Sequence, residues 1–127
     1  MEKTILIIED DTFLQGLVAR KLSGEGFKIE VAANGEEGLK IMGSTVPDLI
    51  LLDLLLPNID GFEVLARMRT DTKLHNVRVM VFSNLSEEKD IKRAKDLGVI
   101  DYLVKANFTL DELASRIKEV LTLPQLG

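Results

Sequence analysis

"DLILLDLLLPNIDGFEVL", residues 48–65, decides how this chain folds. Its opening "DLILLDL" (48–54) is the most apolar stretch of the sequence, and it delivers one acid, Asp53, straight out of "LILL". An unbroken apolar run of strand length belongs at the centre of a parallel sheet, buried on both faces; a half-exposed strand would alternate. The run gives way to Pro57 and then to "DGFEVLARMR" (60–69), where Asp60 precedes Glu63 by three residues in a capping-box-like pattern. Strand, short loop and capped helix make one β-α unit.

Working outward, the unit recurs. "KTILIIE" (3–9) is nearly all apolar, "FKIEVAA" (27–33) alternates and carries less apolar bulk, and "VRVMVFS" (77–83) and "IDYLVK" (100–105) complete five strands. The alternating one reads as an edge strand. Helix signals fill the gaps. Phe13, Leu14, Leu17, Val18 and Leu22 share helical spacing in a segment that stops at glycines. Asn34 opens "NGEEGLKIM", Ser86 opens "SEEKDIKRAKDLG", and Thr109, with Glu112 three residues on, opens a helix burying Leu113, Ile117, Val120 and Leu121. Five strands alternating with five helices imply a doubly wound α/β domain: a parallel sheet, right-handed crossovers and helices on both faces.

The 127 residues fit one domain over 1–127, with a core over about 3–122. At 46% hydrophobic residues, no Trp and one Tyr, that core is aliphatic. A net charge of −5 argues against direct nucleic-acid binding or an anionic membrane as partner. Zero cysteines exclude disulfides and thiol chemistry. No run approaches the ~20 apolar residues that span a bilayer, and the amino-terminal stretch lacks a signal-peptide core, so the expectation is a cytoplasmic protein without membrane insertion.

Ligands of such sheets sit beyond the carboxyl ends of the strands. The first strand delivers Glu9 and Asp10 there, the third Asp53, the fourth Ser83 and the fifth Lys105. Carboxylates from two strands approach one another only if a cation offsets their repulsion, and an all-oxygen site with room for water suits Mg²⁺. No His or Cys cluster points to zinc, and His75 stands alone in a polar stretch. A carboxylate beside a divalent cation can attack phosphorus to give an acyl phosphate; Lys105 would pair with Asp53 and then with a phosphoryl oxygen, and Ser83 would donate to another. Taken singly, Lys105 reads as a solvated strand-end lysine, Ser83 as a turn residue and the acids as helix starts, the role kept for Asp11. Four such accidents on one rim are the poorer reading.

The pieces "LIIEDD", "DLILLDLLLPNIDGFEVL", "VMVFSN" and "LGVIDYLVK" resemble the receiver domain of bacterial two-component response regulators, of the single-domain CheY-like kind, over essentially the whole length. The Asp53, Pro57, Asp60, Gly61 pattern is the more specific part. The resemblance implies a flavodoxin-like (βα)5 sheet of order 2-1-3-4-5. It implies Asp53 as the phosphorylated residue, and Glu9, Asp10, Asp53 and the Leu55 carbonyl around Mg²⁺. Ser83 falls at the switch position, Lys105 at the active-site lysine, and Tyr102 at the aromatic position that turns inward on activation. It also implies a sensor histidine kinase or histidine phosphotransfer protein as donor. By the same resemblance the receiver itself is expected to catalyse transfer, switching the surface of the fourth helix, fifth strand and fifth helix for a downstream protein. What the resemblance implies is a self-phosphorylating switch with slow autodephosphorylation rather than a turnover enzyme, with enzyme status itself left open.

The chain departs from the pattern in places. Lys105 is followed by Ala106 instead of proline, and the bond between them is expected to be trans. Asn84 stands where a smaller residue is common, and Val99 and Ile100 are apolar where dimerising members carry acids. Leu55 and Leu85, each two residues past a site residue, obstruct an attacking water and imply a long-lived acyl phosphate. A nucleotide or flavin binder is disfavoured because "EDDT" would repel phosphate, and an Asp-nucleophile phosphatase because Leu55 replaces the second acid. A degenerate receiver that only binds partners, and a phosphorelay intermediate, remain alternatives.

Overall fold

The computed structural model describes residues 2–124. Strands β1 (Thr4–Ile8), β2 (Lys28–Ala32), β3 (Leu49–Leu52), β4 (Arg78–Ser83) and β5 (Asp101–Val104) alternate with helices α1 (Thr12–Gly24), α2 (Gly35–Ser44), α3 (Gly61–Arg69), α4 (Glu88–Asp96) and α5 (Leu110–Thr122). All strand pairs are parallel, in the order β2-β1-β3-β4-β5. The all-apolar β3 is thus central, with every residue buried, and the alternating β2 is an edge.

The period-two alternation of the strands divides the core between two faces. Leu6, Ile8, Ile50, Leu52, Val79 and Val81 pack on one face under Met42 of α2, Leu65 and Met68 of α3 and Ala94 of α4. Ile5, Ile7, Leu49, Leu51, Met80 and Leu103 pack on the other under Val18 and Leu22 of α1 and Leu113, Ile117 and Val120 of α5. The core is aliphatic apart from a few phenylalanines such as Phe62 and Phe82, both buried.

Four helix starts are capped as their sequences imply. Asp11, Asn34, Asp60 and Thr109 each accept the backbone N–H three residues on, and α5 has the complete capping box with Glu112. The fourth helix differs. Ser86 does not cap it; Glu87 occupies that position without a side-chain cap bond, and the helix runs from Glu88. The loop's course is set one residue earlier, where the Leu85 N–H is held by the Ser83 hydroxyl and the Leu85 carbonyl by the Tyr102 hydroxyl. Phe13 is a second correction. Leu14, Val18 and Leu22 form the inward stripe of α1, whereas Phe13 lies one position off it and is 75% exposed. Lys105–Asn107 form a short 3-10 turn after β5, and no peptide bond is cis among the described residues.

Candidate functional site

Register builds the site. Ile8 of β1 lies opposite Leu52 of β3, so the next residues, Glu9 and Asp53, leave the sheet side by side. The Asp53 N–H still bonds the Ile8 carbonyl at 3.1 Å, and the Glu9 N–H bonds the Ala32 carbonyl at 3.0 Å. Their backbones are therefore fixed before their side chains are considered. Ser83 ends β4 next door, and Lys105 follows β5.

Asp53 is 5% exposed, and its two oxygens are used separately. Oδ1 accepts the Ser83 hydroxyl at 2.6 Å and the Leu55 N–H at 3.0 Å. Oδ2 accepts the Lys105 ammonium at 2.7 Å. The same ammonium reaches Glu9 Oε1 at 2.6 Å, so one lysine spans two buried acids. Glu9 Oε2 accepts the Asp11 N–H at 3.1 Å. Burial pushes the Glu9 carboxyl above its usual range, and the Lys105 bond only partly opposes this. For Lys105, burial disfavours the ammonium, but the bonds to Asp53 and Glu9 outweigh it and the net shift is upward.

Asp10 is exposed beside this buried group, and one carboxylate oxygen each from Glu9, Asp10 and Asp53 lies within 4.8 Å of the others. An all-carboxylate set, closed on the protein side and open to water at Asp10, fits a hard, partly hydrated divalent cation. Asp11 stands apart: its Oδ1 caps α1 through the Leu14 N–H at 3.0 Å.

The second layer was not legible as function. Gln15 Nε2 donates to the carbonyls of Glu9 and Ala32, each at 3.0 Å, and so pins the first acidic loop to the end of β2. Its position, one turn into α1 from the acids, was the only hint. Gly61 is explained by contact: a Cβ there would stand 2.7 Å from the Asp53 carbonyl oxygen and from the Leu54 Cα. Its absence lets α3 start directly against the loop that carries Asp53.

Tyr102, half-buried on β5, directs its hydroxyl to the loop before α4 rather than to an Asp53 oxygen. Its hydroxyl donates to the Leu85 carbonyl at 2.5 Å, two residues from Ser83. Burial, then the charges of Asp90 and Asp53, pushes its phenol up to about 12. Leu55 is 52% exposed at the mouth of the site and Leu85 is partly buried. His75 is remote and exposed, its ring bonded to the Thr72 carbonyl.

Five strands in this order, with a buried aspartate held between a hydroxyl and an ammonium at their carboxyl rim, define a class. The chain belongs to the response regulator receiver domain family, whose description matches residues 5–118. Among particular proteins it is similar to sporulation initiation phosphotransferase F of Bacillus subtilis, 34% identical over 123 residues that make up 97% of each chain. It is also similar to the DNA-binding dual master transcriptional regulator RpaA of Synechocystis, 36% identical over 92% of this chain but 48% of that protein. The chain thus spans about half the length of such transcriptional regulators. Among solved structures, a response regulator from Chloroflexus aurantiacus superposes with a TM-score of 0.88 at 29% identity, covering 97% of this chain and 100% of that one. The phosphorylated cyanobacterial phytochrome response regulator RcpA does so at 0.81 and 31%, covering 94% and 91%. No helix among the described residues is long and apolar enough to cross a membrane.

Proposed function

We propose that this chain, acting as one receiver unit over residues 1–127, accepts a phosphoryl group on Asp53 from the phosphohistidine of a sensor kinase or histidine phosphotransfer protein. The observation that carries this reading is the division of labour at Asp53: a buried carboxylate with Ser83 on one oxygen and Lys105 on the other. A carboxylate oxygen attacks phosphorus, the P–N bond breaks, and the imidazole leaves with the electron pair and takes up a proton. Lys105 and Ser83 are already within hydrogen-bond distance of the nucleophile, so each can pass from carboxylate to phosphoryl oxygen with little movement.

Glu9, Asp10 and Asp53, with the Leu55 carbonyl, would hold Mg²⁺. When bound, the ion supplies charge neutralisation for phosphoryl transfer among these acids. Ser83 and Tyr102 form the switch in this reading. Ser83 drawn to the site leaves room for the tyrosine, and the Tyr102 bond to Leu85 ties β5 to the loop before α4. Phosphorylation biases that arrangement and hence the α4-β5-α5 surface offered to a downstream protein in the cytoplasm. A second reading, a phosphorelay intermediate, is supported by the 97% mutual coverage with the Bacillus phosphotransferase.

Incubation with Mg²⁺ and acetyl phosphate should add the mass of one phosphoryl group to the wild type and none to Asp53→Ala. Equal labelling of both, or of neither, would overturn the assignment, and the latter outcome would leave a receiver that only binds partners. Onward transfer from the labelled protein to a histidine phosphotransfer domain would distinguish the relay.

A further inference from the structure

The opposite end of the sheet holds a cavity of about 730 Å³, well away from Asp53. It opens beneath the amino ends of β4 and β5, between the carboxyl ends of α4 and α5. Its size falls in the range of small-molecule sites. Val77, Leu97, Ile100 and Leu123 give it apolar walls, and two arginines, Arg69 and Arg78, line it as well.

Arg69 donates to the carbonyls of Leu97 (2.8 Å), His75 (3.1 Å), Val77 (3.0 Å) and Gly98 (3.1 Å). Arg78 donates to the carbonyls of Val120 (2.7 Å) and Leu123. Every one of these acceptors is a neutral backbone oxygen. Among the described residues neither guanidinium has a carboxylate within ion-pair distance, although the chain carries more acids than bases. The one acid at the wall, Asp96, is bonded to Lys92 at 2.9 Å.

A role in closing helix ends accounts for where the two forks point, because cations suit the carboxyl ends of α4 and α5. It does not account for an open apolar space between them. Among the described residues Arg78 spends only part of its donor fork, on the two carbonyls. We propose that this cavity binds a small organic monocarboxylate with an apolar body, its head on Arg78 and Arg69 and its chain against the four apolar side chains. A single negative charge is the better match than a phosphate dianion, since the carbonyl oxygens already offset part of the guanidinium charge.

Octanoate is a suitable probe, with octanol and octylammonium as controls, titrated into the full chain and followed by backbone amide NMR. Octanoate should shift the amides of Val77, Gly98 and Ile100 saturably while the controls shift them far less. Arg78→Gln should weaken binding about tenfold or more, the loss of a charge-assisted hydrogen bond, and Arg78→Lys should recover part of it. Asp53→Ala should bind octanoate as the wild type does, which separates this cavity from the acidic rim. The proposal is overturned if octanoate shifts none of these amides. Equal response to octanol, or undiminished affinity in Arg78→Gln, overturns it too.

Discussion

Tyr102 is the chain's one tyrosine, and there is no tryptophan, so its spectrum reports a single position. Its phenol is raised from 10.0 to about 12, chiefly by burial. A folded-state value above the unfolded one means that the neutral phenol is the form the fold favours. Its contribution to stability is complete below pH 10 and is lost as pH rises through about 12. Near-ultraviolet titration should show tyrosinate forming with a midpoint close to 12 in the folded protein; a midpoint near 10 would show a phenol in water. Two leucines make a second point at this scale. Leu55 and Leu85 border Asp53 and Ser83 with side chains that can neither orient a water nor accept its proton. The double substitution Leu55→Asn with Leu85→Glu should shorten the lifetime of phosphorylated protein at least several-fold, measured by phosphate release. An unchanged lifetime would mean that neither side chain governs water access.

At the scale of the element, helix starts show what local sequence can and cannot specify. Thr109 and Glu112 carry their own instructions, and the capping box they form is complete. Ser86 is an equally good cap by type, yet Leu85 is claimed on both sides by Ser83 and Tyr102, and the helix begins beyond it. Tertiary contacts set that boundary, and no window of sequence contains them. Thr109→Ala should therefore cost about 1 kcal/mol, whereas Ser86→Ala should leave stability within error; chemical denaturation of the two variants tests the contrast. The same distinction governs the site. Asp53, Ser83 and Lys105 were readable because strand ends in a parallel sheet must share a rim. The Lys105 bridge to Glu9, the pin made by Gln15 and the steric need for Gly61 were not, because each depends on distances across elements.

For the whole molecule, the acidic rim sets local interaction energy against function. Two carboxylates, Glu9 and Asp53, share one ammonium and a third, Asp10, lies beside them, leaving an excess of negative charge when no cation is bound. Asp53→Asn lowers that excess while keeping an oxygen to accept from Ser83 and Leu55, and Lys105 retains Glu9. Its melting temperature in metal-free buffer should rise by a few degrees, and added Mg²⁺ should narrow the gap by stabilising the wild type more. A lower melting temperature would show that the Asp53–Lys105 pair outweighs the crowding. The rim is also assembled from distant parts of the chain: Asp53 meets Ser83 across 30 residues and Lys105 across 52. Contacts of such span require long loops to close, at a cost in chain entropy that slows folding. A chain clipped before Lys105 would retain Asp53 but lack the ammonium bonded to its Oδ2. In the proposed reading these separated parts act as a joint key: a receiver cut between Ser83 and Lys105 keeps its nucleophile and loses the partner that would meet the phosphoryl group.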